Sequence, residues 1–190
     1  MKAHLGCGTI YLNGYVNIDA APDIMSDDPE AAEIILQNGT TFDNYYKVGF
    51  CKGSGKVVAD KKALIDDLPF ENDSLNEVIL IQVLEHIPAY NVSKVLNETC
   101  RVLKRGGCLI VGVPDVVETA KILVNATTAE EEDWCIRLIH GTQRNKFSHH
   151  FCGYIPRTLK QLLFEHGFGD FKDLPNINFY PSFHIAAFKR

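Results

Sequence analysis

Several things are scarce in this chain, and each absence narrows the reading. There is no run of basic residues, and the net charge is −5 over 190 residues. That balance speaks against nucleic acid or an anionic membrane as partner. No apolar stretch reaches the length needed to span a bilayer. The first residues enter a strand at once, so no signal peptide is expected and a cytoplasmic location is. Cys7, Cys51, Cys100, Cys108, Cys135 and Cys152 form no C-x-x-C pair, and reduced thiols are expected in place of disulfides. The N-x-[ST] matches at Asn72, Asn91, Asn97 and Asn125 then count as chance. There is no internal repeat and no low-complexity segment. What remains is 46% hydrophobic and 23% charged, ordinary for a soluble globule. The length suits one domain over residues 1–190 with a substantial core.

The chain is organised around Ala3-His4-Leu5-Gly6-Cys7-Gly8 and the acid closing Tyr15-Val16-Asn17-Ile18-Asp19. A short apolar run that breaks at two glycines is a buried strand ending in a turn where a ligand can lie against the backbone. In an open parallel sheet, ligands sit outside the carboxyl ends of the strands, where Gly6, Gly8 and Asp19 would meet. The glycines alone are a weak signal, and they serve a tight turn equally well. A dinucleotide fingerprint needs a third glycine and an acid about 20 residues on. Residue 11 is Tyr, and Asp19 comes too early. A smaller nucleoside, with ribose hydroxyls for the carboxylate, suits the spacing better. Asp19 should then matter to binding far more than to folding.

Taken in order, six residues separate Gly8 from Tyr15, short for a parallel crossover, which usually needs a dozen or more. Pro29 to Gln37 reads as a helix stopped at Asn38-Gly39. Lys52-Gly53-Ser54-Gly55 reads as a turn, and Val57 to Asp60 as a third strand. Val78 to Leu84 reads as a central strand buried on both faces. Asn91 can cap a helix to about Lys104, stopped by Gly106-Gly107. Cys108 to Val113 is a fifth strand. Helices are expected over Val116–Val124, Ala129–Ile139 and Pro156–His166. Phe168 to Phe179 and Phe183 to Phe188 make a closing pair of strands. Alternating strands and crossovers imply a mainly parallel α/β sheet covered by helices.

These residues carry a resemblance. His4-Leu5-Gly6-Cys7-Gly8 with Gly14 to Asp19 is similar to the first two motifs of small class I S-adenosylmethionine-dependent methyltransferases. Leu68-Pro69-Phe70 through Val78 resembles the family's L-P-F-x-D-N-S-x-D-x-[IV]. Val83-Leu84-Glu85-His86 matches V-L-E-H. Arg101 to Gly107 matches R-V-L-K-P-G-G with Arg105 in place of Pro, and Val113-Pro114-Asp115 fits V-P-D. Leu159 to Phe168 resembles the closing helix. The type 11-like branch with a shortened first crossover is the nearest in pattern. The third glycine of G-x-G-x-G and an N-terminal helical lid are missing.

The resemblance implies a Rossmann-like, doubly wound, mainly parallel seven-stranded sheet with an antiparallel last strand, and S-adenosylmethionine as cofactor. It places Leu5, Gly6, Cys7 and Gly8 beneath the amino-acid part of that cofactor, and Asp19 and Ala20 at the ribose. It places Asp60 beside the adenine amine, Leu64 on the ring face and Gln82 at the methionine moiety. Methyl transfer needs alignment more than acid chemistry, but a hydroxyl or amine acceptor calls for a base, and His is the usual one. His86 and His150 are the candidates. Packing weighs equally for His86, and Glu85 reads as a cap. Asp115, His149 and Tyr154 are candidates for acceptor contact. Adjacent His149 and His150 are weak evidence for a metal, and none is expected. The acceptor is expected to be a small molecule or a sugar-type metabolite. A homo-oligomer partner or residues 116–150 would cover the pocket. The rivals are a cofactor-binding protein without transferase activity and a dehydrogenase.

Overall fold

The computed structural model describes residues 1–45, 55–144 and 147–190. Cys51 and all but Gly55 of the turn expected over Lys52–Gly55 lie outside them, as does Lys146 of the polar loop before the last helix. A seven-stranded sheet runs in the order β5 (Lys61–Lys62), β2 (Val16–Asp19), β1 (Lys2–Leu5), β6 (Leu75–Ile81), β7 (Leu103–Pro114), β9 (Ser182–Lys189), β8 (Phe168–Leu174). β1 pairs in parallel with β2 and β6, and β6 with β7, while β9 is antiparallel to both its neighbours. That is the doubly wound sheet with an antiparallel last strand.

The sheet has two apolar faces, because side chains alternate along each strand. Leu80, Val111 and Ile185 point to one side, with Val92, Val95 and Leu96 of α2 (Ala89–Val102) and Leu159 and Leu163 of α5 (Pro156–Glu165) packed on them. Ile79, Ile81 and Ile110 point to the other side, against Ile10, Leu12 and Tyr45. Among the described residues, Ile10 and Leu12 of the first crossover, Phe42 of a 3-10 turn (Phe42–Asn44) and Tyr45 cover that second face.

That crossover, residues 6–15, is closed by the Asn17 side chain. Its Nδ2 donates to the carbonyls of Leu12 (3.1 Å) and Tyr15 (3.2 Å), and its Oδ1 accepts from Leu12 N–H (2.8 Å). His4 completes the knot from inside β1. Its Nδ1 donates to Asn17 Oδ1 at 3.0 Å, and Tyr45 O–H donates to its Nε2 at 2.6 Å. Burial lowers the His4 pKa to about 4, so the ring stays neutral.

Five local expectations change. The central strand is β6, Leu75–Ile81, in place of Val78 to Leu84, because the chain leaves the ladder at Gln82 and Leu84 opens a 3-10 turn. The third strand divides: β4 (Val58–Ala59) pairs with β3 (Ile24–Met25) in a separate parallel pair, and β5 joins the main sheet. α2 starts at Ala89 behind Pro88, and Asn91 does not cap it but donates to Asp66 Oδ2 at 3.1 Å. α2 ends at Val102 and β7 begins at once. Gly106, at φ +72°, therefore falls inside the strand, where the register against β6 jumps. β8 stops at Leu174, because Pro175 cannot continue the ladder. The helices α1 (Pro29–Asn38), α3 (Val116–Val124) and α4 (Ala129–His140) lie as expected, capped by Asp28, Asp115 and Thr128. Cys7, Cys100, Cys108, Cys135 and Cys152 are free thiols. No helix among the described residues is long and apolar enough to cross a membrane.

Candidate active site

At the carboxyl end of β1 the chain turns through Gly6, Cys7 and Gly8. Gly6 and Gly8 both take left-handed backbone, φ +63° and +53°. Their surroundings differ. A Cβ on Gly6 would stand 2.7 Å from Val83 Cγ2, whereas one on Gly8 would meet nothing within 4 Å. Packing explains the first glycine; open space beside the backbone marks the second. Cys7 between them is buried, and its N–H donates to Ile18 O at 3.0 Å. Burial, with the carboxylates of Asp19 and Asp60 nearby, pushes its thiol far above the ordinary range. It is a packing residue and no nucleophile.

Asp19 ends β2. One of its oxygens accepts the Gly8 N–H and the other the Ala21 N–H, each at 3.0 Å. The carboxylate therefore holds the glycine turn and its own loop together, which corrects the expectation that it matters little to folding. Each oxygen keeps a lone pair for a ligand. Ala20 is half-buried beside it and Leu5 is fully buried behind it. Leu64 is exposed in a turn bridged to Asp67.

Asp60, between β4 and β5, is taken up by the protein. Its carboxylate accepts from Tyr11 O–H (2.7 Å), Asn17 N–H (2.7 Å) and Asn17 Nδ2 (3.2 Å). Burial alone would raise its pKa, but these bonds and one from Ser26 hold it below the usual carboxylate value. Gln82 follows β6 at φ +55°, strained backbone for a non-glycine residue. Its N–H donates to Gly112 O at 2.8 Å, while its buried Nε2 has no partner among the described residues.

Next along the chain is a single 3-10 turn, Leu84–His86. Glu85 within it is 1% exposed, and neither carboxylate oxygen has a partner among the described residues. It is not a cap, which corrects that expectation. Burial pushes its carboxyl up to about 8. Its backbone carbonyl accepts from Phe151 N–H at 2.7 Å and Cys152 N–H at 3.3 Å, which draws the loop before α5 across the turn. The two candidate bases then meet. His86 and His150 stack edge to face with centroids 4.7 Å apart. His86 Nδ1 lies 2.8 Å from His149 O, and His150 Nδ1 lies 2.9 Å from Leu138 O. A carbonyl can only accept, so both protons sit on Nδ1 and both Nε2 atoms carry bare lone pairs. Burial lowers both pKa values, that of His150 to about 4 with His86 adding to the effect. One ring nitrogen of each imidazole and one Glu85 oxygen lie within 4.8 Å of one another.

The acceptor-side candidates are placed differently. Asp115 ends β7 and its Oδ1 accepts from Val117 N–H (3.0 Å) and Glu118 N–H (3.1 Å), a helix cap. Tyr154, bridged to Asp115, is buried in the main core with its hydroxyl 3.5 Å from Leu84 O. His149 is half-buried and stacks on Phe151 at 6.1 Å.

A methyltransferase-domain family model matches residues 4–111, more than half of the chain. The chain belongs to this family. It is a class I S-adenosylmethionine-dependent methyltransferase. Among solved structures, one similar fold is a methyltransferase of Thermotoga maritima, at 16% identity and TM-score 0.56, covering 100% of this chain and 82% of that one. Another is a methyltransferase of Methanosarcina mazei, at 17% identity and TM-score 0.56, covering 99% and 91%. At such identities the likeness establishes the fold. No curated protein sequence matches the chain.

The residues of this methyltransferase fit its cofactor: the open cradle at Gly8, the strand-end carboxylate of Asp19 and the unpartnered Gln82 amide lie at the ends of β1, β2 and β6. Two features escaped the sequence. Glu85 sits beside a histidine in a common motif, and nothing in the motif shows that its carboxylate is orphaned. His184 on β9 is buried opposite Gly112 with neither ring nitrogen bonded among the described residues. An imidazole within the apolar Phe183–Phe188 run is the signal that could have found it.

Proposed function

We propose that this methyltransferase acts on a hydroxyl or amine of a small-molecule or sugar-type acceptor, with His86 or His150 as the group that receives the acceptor's proton. The observation that carries the reading is the pair of neutral imidazoles at the end of β6. Each has its proton fixed on Nδ1 by a backbone carbonyl and its Nε2 lone pair available. The net charge of −5 and the lack of a basic run favour a small acceptor over nucleic acid.

S-adenosylmethionine supplies an electrophilic methyl group on a sulfonium. Leu5, Gly6, Cys7 and Gly8 form the floor beneath its amino-acid part, and the Gln82 amide meets the methionine end. Asp19 and Ala20 hold the ribose. Leu64 covers the adenine, and Asp60 fixes that wall through Tyr11 and Asn17. His149 lines the acceptor side, supported by Asp115 and Tyr154. Holding the acceptor atom in line with the methyl is where most of the acceleration comes from, and removal of the proton adds roughly 10²–10⁴-fold.

The test is release of S-adenosylhomocysteine from S-adenosylmethionine across a panel of hydroxylated and amine-bearing metabolites. His150→Ala is expected to cut turnover by about 10²-fold or more while cofactor affinity holds. Loss of cofactor binding in that variant would move the loop to the cofactor side. Cofactor binding with no product from any acceptor would make the chain a binding protein without transferase activity.

A further inference from the structure

We propose that Glu85, His86 and His150 bind a divalent transition-metal ion. The carboxylate decides it. Glu85 is 1% exposed and both of its oxygens lack a partner among the described residues, an arrangement that costs free energy unless something compensates. No lysine or arginine among the described residues is bonded to it. What stands beside it is two imidazoles, and one nitrogen of each lies within 4.8 Å of a Glu85 oxygen and of the other. Ligands around one ion at ~2.1 Å stand roughly 3–3.5 Å apart, so modest side-chain rotation completes the set.

The surroundings are those of metal-binding histidines. A ligating imidazole donates its other N–H to a carbonyl or carboxylate, which fixes tautomer and orientation. His86 does so to His149 O and His150 to Leu138 O. The shell is also rigid. The Glu85 carbonyl pins Phe151 and Cys152, and His150 N–H donates to His140 O at 3.1 Å. Two imidazoles and a carboxylate suit zinc, manganese or iron better than magnesium or calcium, which take oxygen ligands. Three protein ligands leave coordination positions open, as in catalytic sites.

A consequence rests on the proposed acceptor chemistry, whereas metal binding does not. In the loaded protein both free imidazole nitrogens are ligands, so the ion takes the place of the histidine base proposed for the metal-free protein. A hydroxyl acceptor coordinated to the ion is acidified and gives its proton to solvent. Its oxygen then forms the bond to the methyl carbon as the carbon–sulfur bond breaks and that electron pair returns to sulfur.

The experiment titrates chelator-treated full chain with Mn²⁺, read by loss of the free-ion magnetic resonance signal, and with Co²⁺, read by visible absorbance. The expected result is one ion per chain and a cobalt spectrum without a thiolate charge-transfer band. Glu85→Gln and His150→Gln should each weaken Mn²⁺ binding at least tenfold, while His140→Gln, on the same loop, leaves it unchanged. Retained S-adenosylhomocysteine binding by the variants shows that they are folded. The wild-type cobalt spectrum decides the matter even if a variant does not fold. No bound ion, a thiolate band, or full affinity in both Glu85→Gln and His150→Gln would overturn the proposal. A bound ion with no methyl transfer to any hydroxyl would overturn only the acceptor chemistry.

Discussion

Gly6→Ala and Gly8→Ala look alike in sequence and should behave oppositely. Both positions are left-handed, so each substitution carries roughly 1–2 kcal/mol of backbone strain. At Gly6 the new methyl would stand 2.7 Å from Val83 Cγ2 and 3.1 Å from Cγ1. Val83 is a core residue, so overpacking adds roughly 1–3 kcal/mol. Gly6→Ala should therefore cost about 2–5 kcal/mol, enough to threaten a domain whose whole stability is of order 5–15 kcal/mol. At Gly8 the methyl would meet nothing within 4 Å, and the cost to the free protein should stay near the strain alone. The space it fills is the space assigned to the cofactor, so S-adenosylhomocysteine affinity should fall at least tenfold, or about 1.4 kcal/mol. Urea denaturation gives the first quantity for both variants, and calorimetric titration gives the second for Gly8→Ala. A Gly8→Ala protein that binds the ligand as the wild type does would refute the placement of the cofactor over that turn. An equal loss of stability at both glycines would refute the packing distinction.

Asp19→Ala should weaken cofactor binding at least tenfold and also lower stability by about 1–3 kcal/mol, because two backbone N–H groups lose their acceptor; calorimetry and denaturant melts check the two effects separately. Asp115→Ala removes a helix cap serving two N–H groups and should cost about 1 kcal/mol in a thermal melt, with cofactor affinity unchanged. Acid should destabilise the protein through His4. Its pKa is about 4 in the fold against 6.5 ordinarily, so the unfolded chain takes up the proton first. Stability should drop as pH falls from about 6.5 towards 4 and level off below, by about 3 kcal/mol at most. His4→Gln should reduce that slope in denaturation curves taken across the range, the buried His150 and His184, lowered likewise to about 4, keeping the rest, and an unchanged slope would refute the assignment.

The parts of the fold that could be read from sequence are those set by local pattern. The strand before Gly6 and the Val92, Val95, Leu96, Val102 stripe each state their period and lie where the period puts it, while the run Val78 to Leu84 is strand only as far as Ile81. Misreadings fall where distant chain decides. Whether Val58 and Lys61 belong to one strand depends on which neighbour each finds, Ile24 or Ile18. Gly106-Gly107 reads as a helix stop, but β7 starts earlier because Leu103 already pairs with Leu75. At the site, Gly8 and Asp19 were legible because a turn and a strand end announce themselves. The Glu85, His86 and His150 cluster was not. It forms only because the Glu85 carbonyl captures a loop 66 positions later, at Phe151, and no spacing rule connects the two.

The short first crossover explains why the carboxylate proposed to hold the ribose also holds the fold. With a crossover helix, the turn after β1 would lead away from the sheet and the acid ending β2 would face the cofactor alone. Here residues 6–15 double back beside β2, and Cys7 N–H bonds to Ile18 O. Gly8 is thereby carried onto Asp19, and Tyr11 onto Asp60. Asn17 stands between, bonded to Asp60, Leu12, Tyr15 and His4. The neutral His4 ring is thus linked by two hydrogen bonds to Asp60 and, through the β2 backbone, to Asp19. Acid that protonates His4 should accordingly release the crossover before the rest of the sheet. Amide exchange at Leu12 and Asn17 should rise below about pH 5 ahead of exchange in β6 and β7, since local openings draw on less than the global free energy. Simultaneous exposure of all four segments would show that the crossover and the sheet open as one unit and would refute this order.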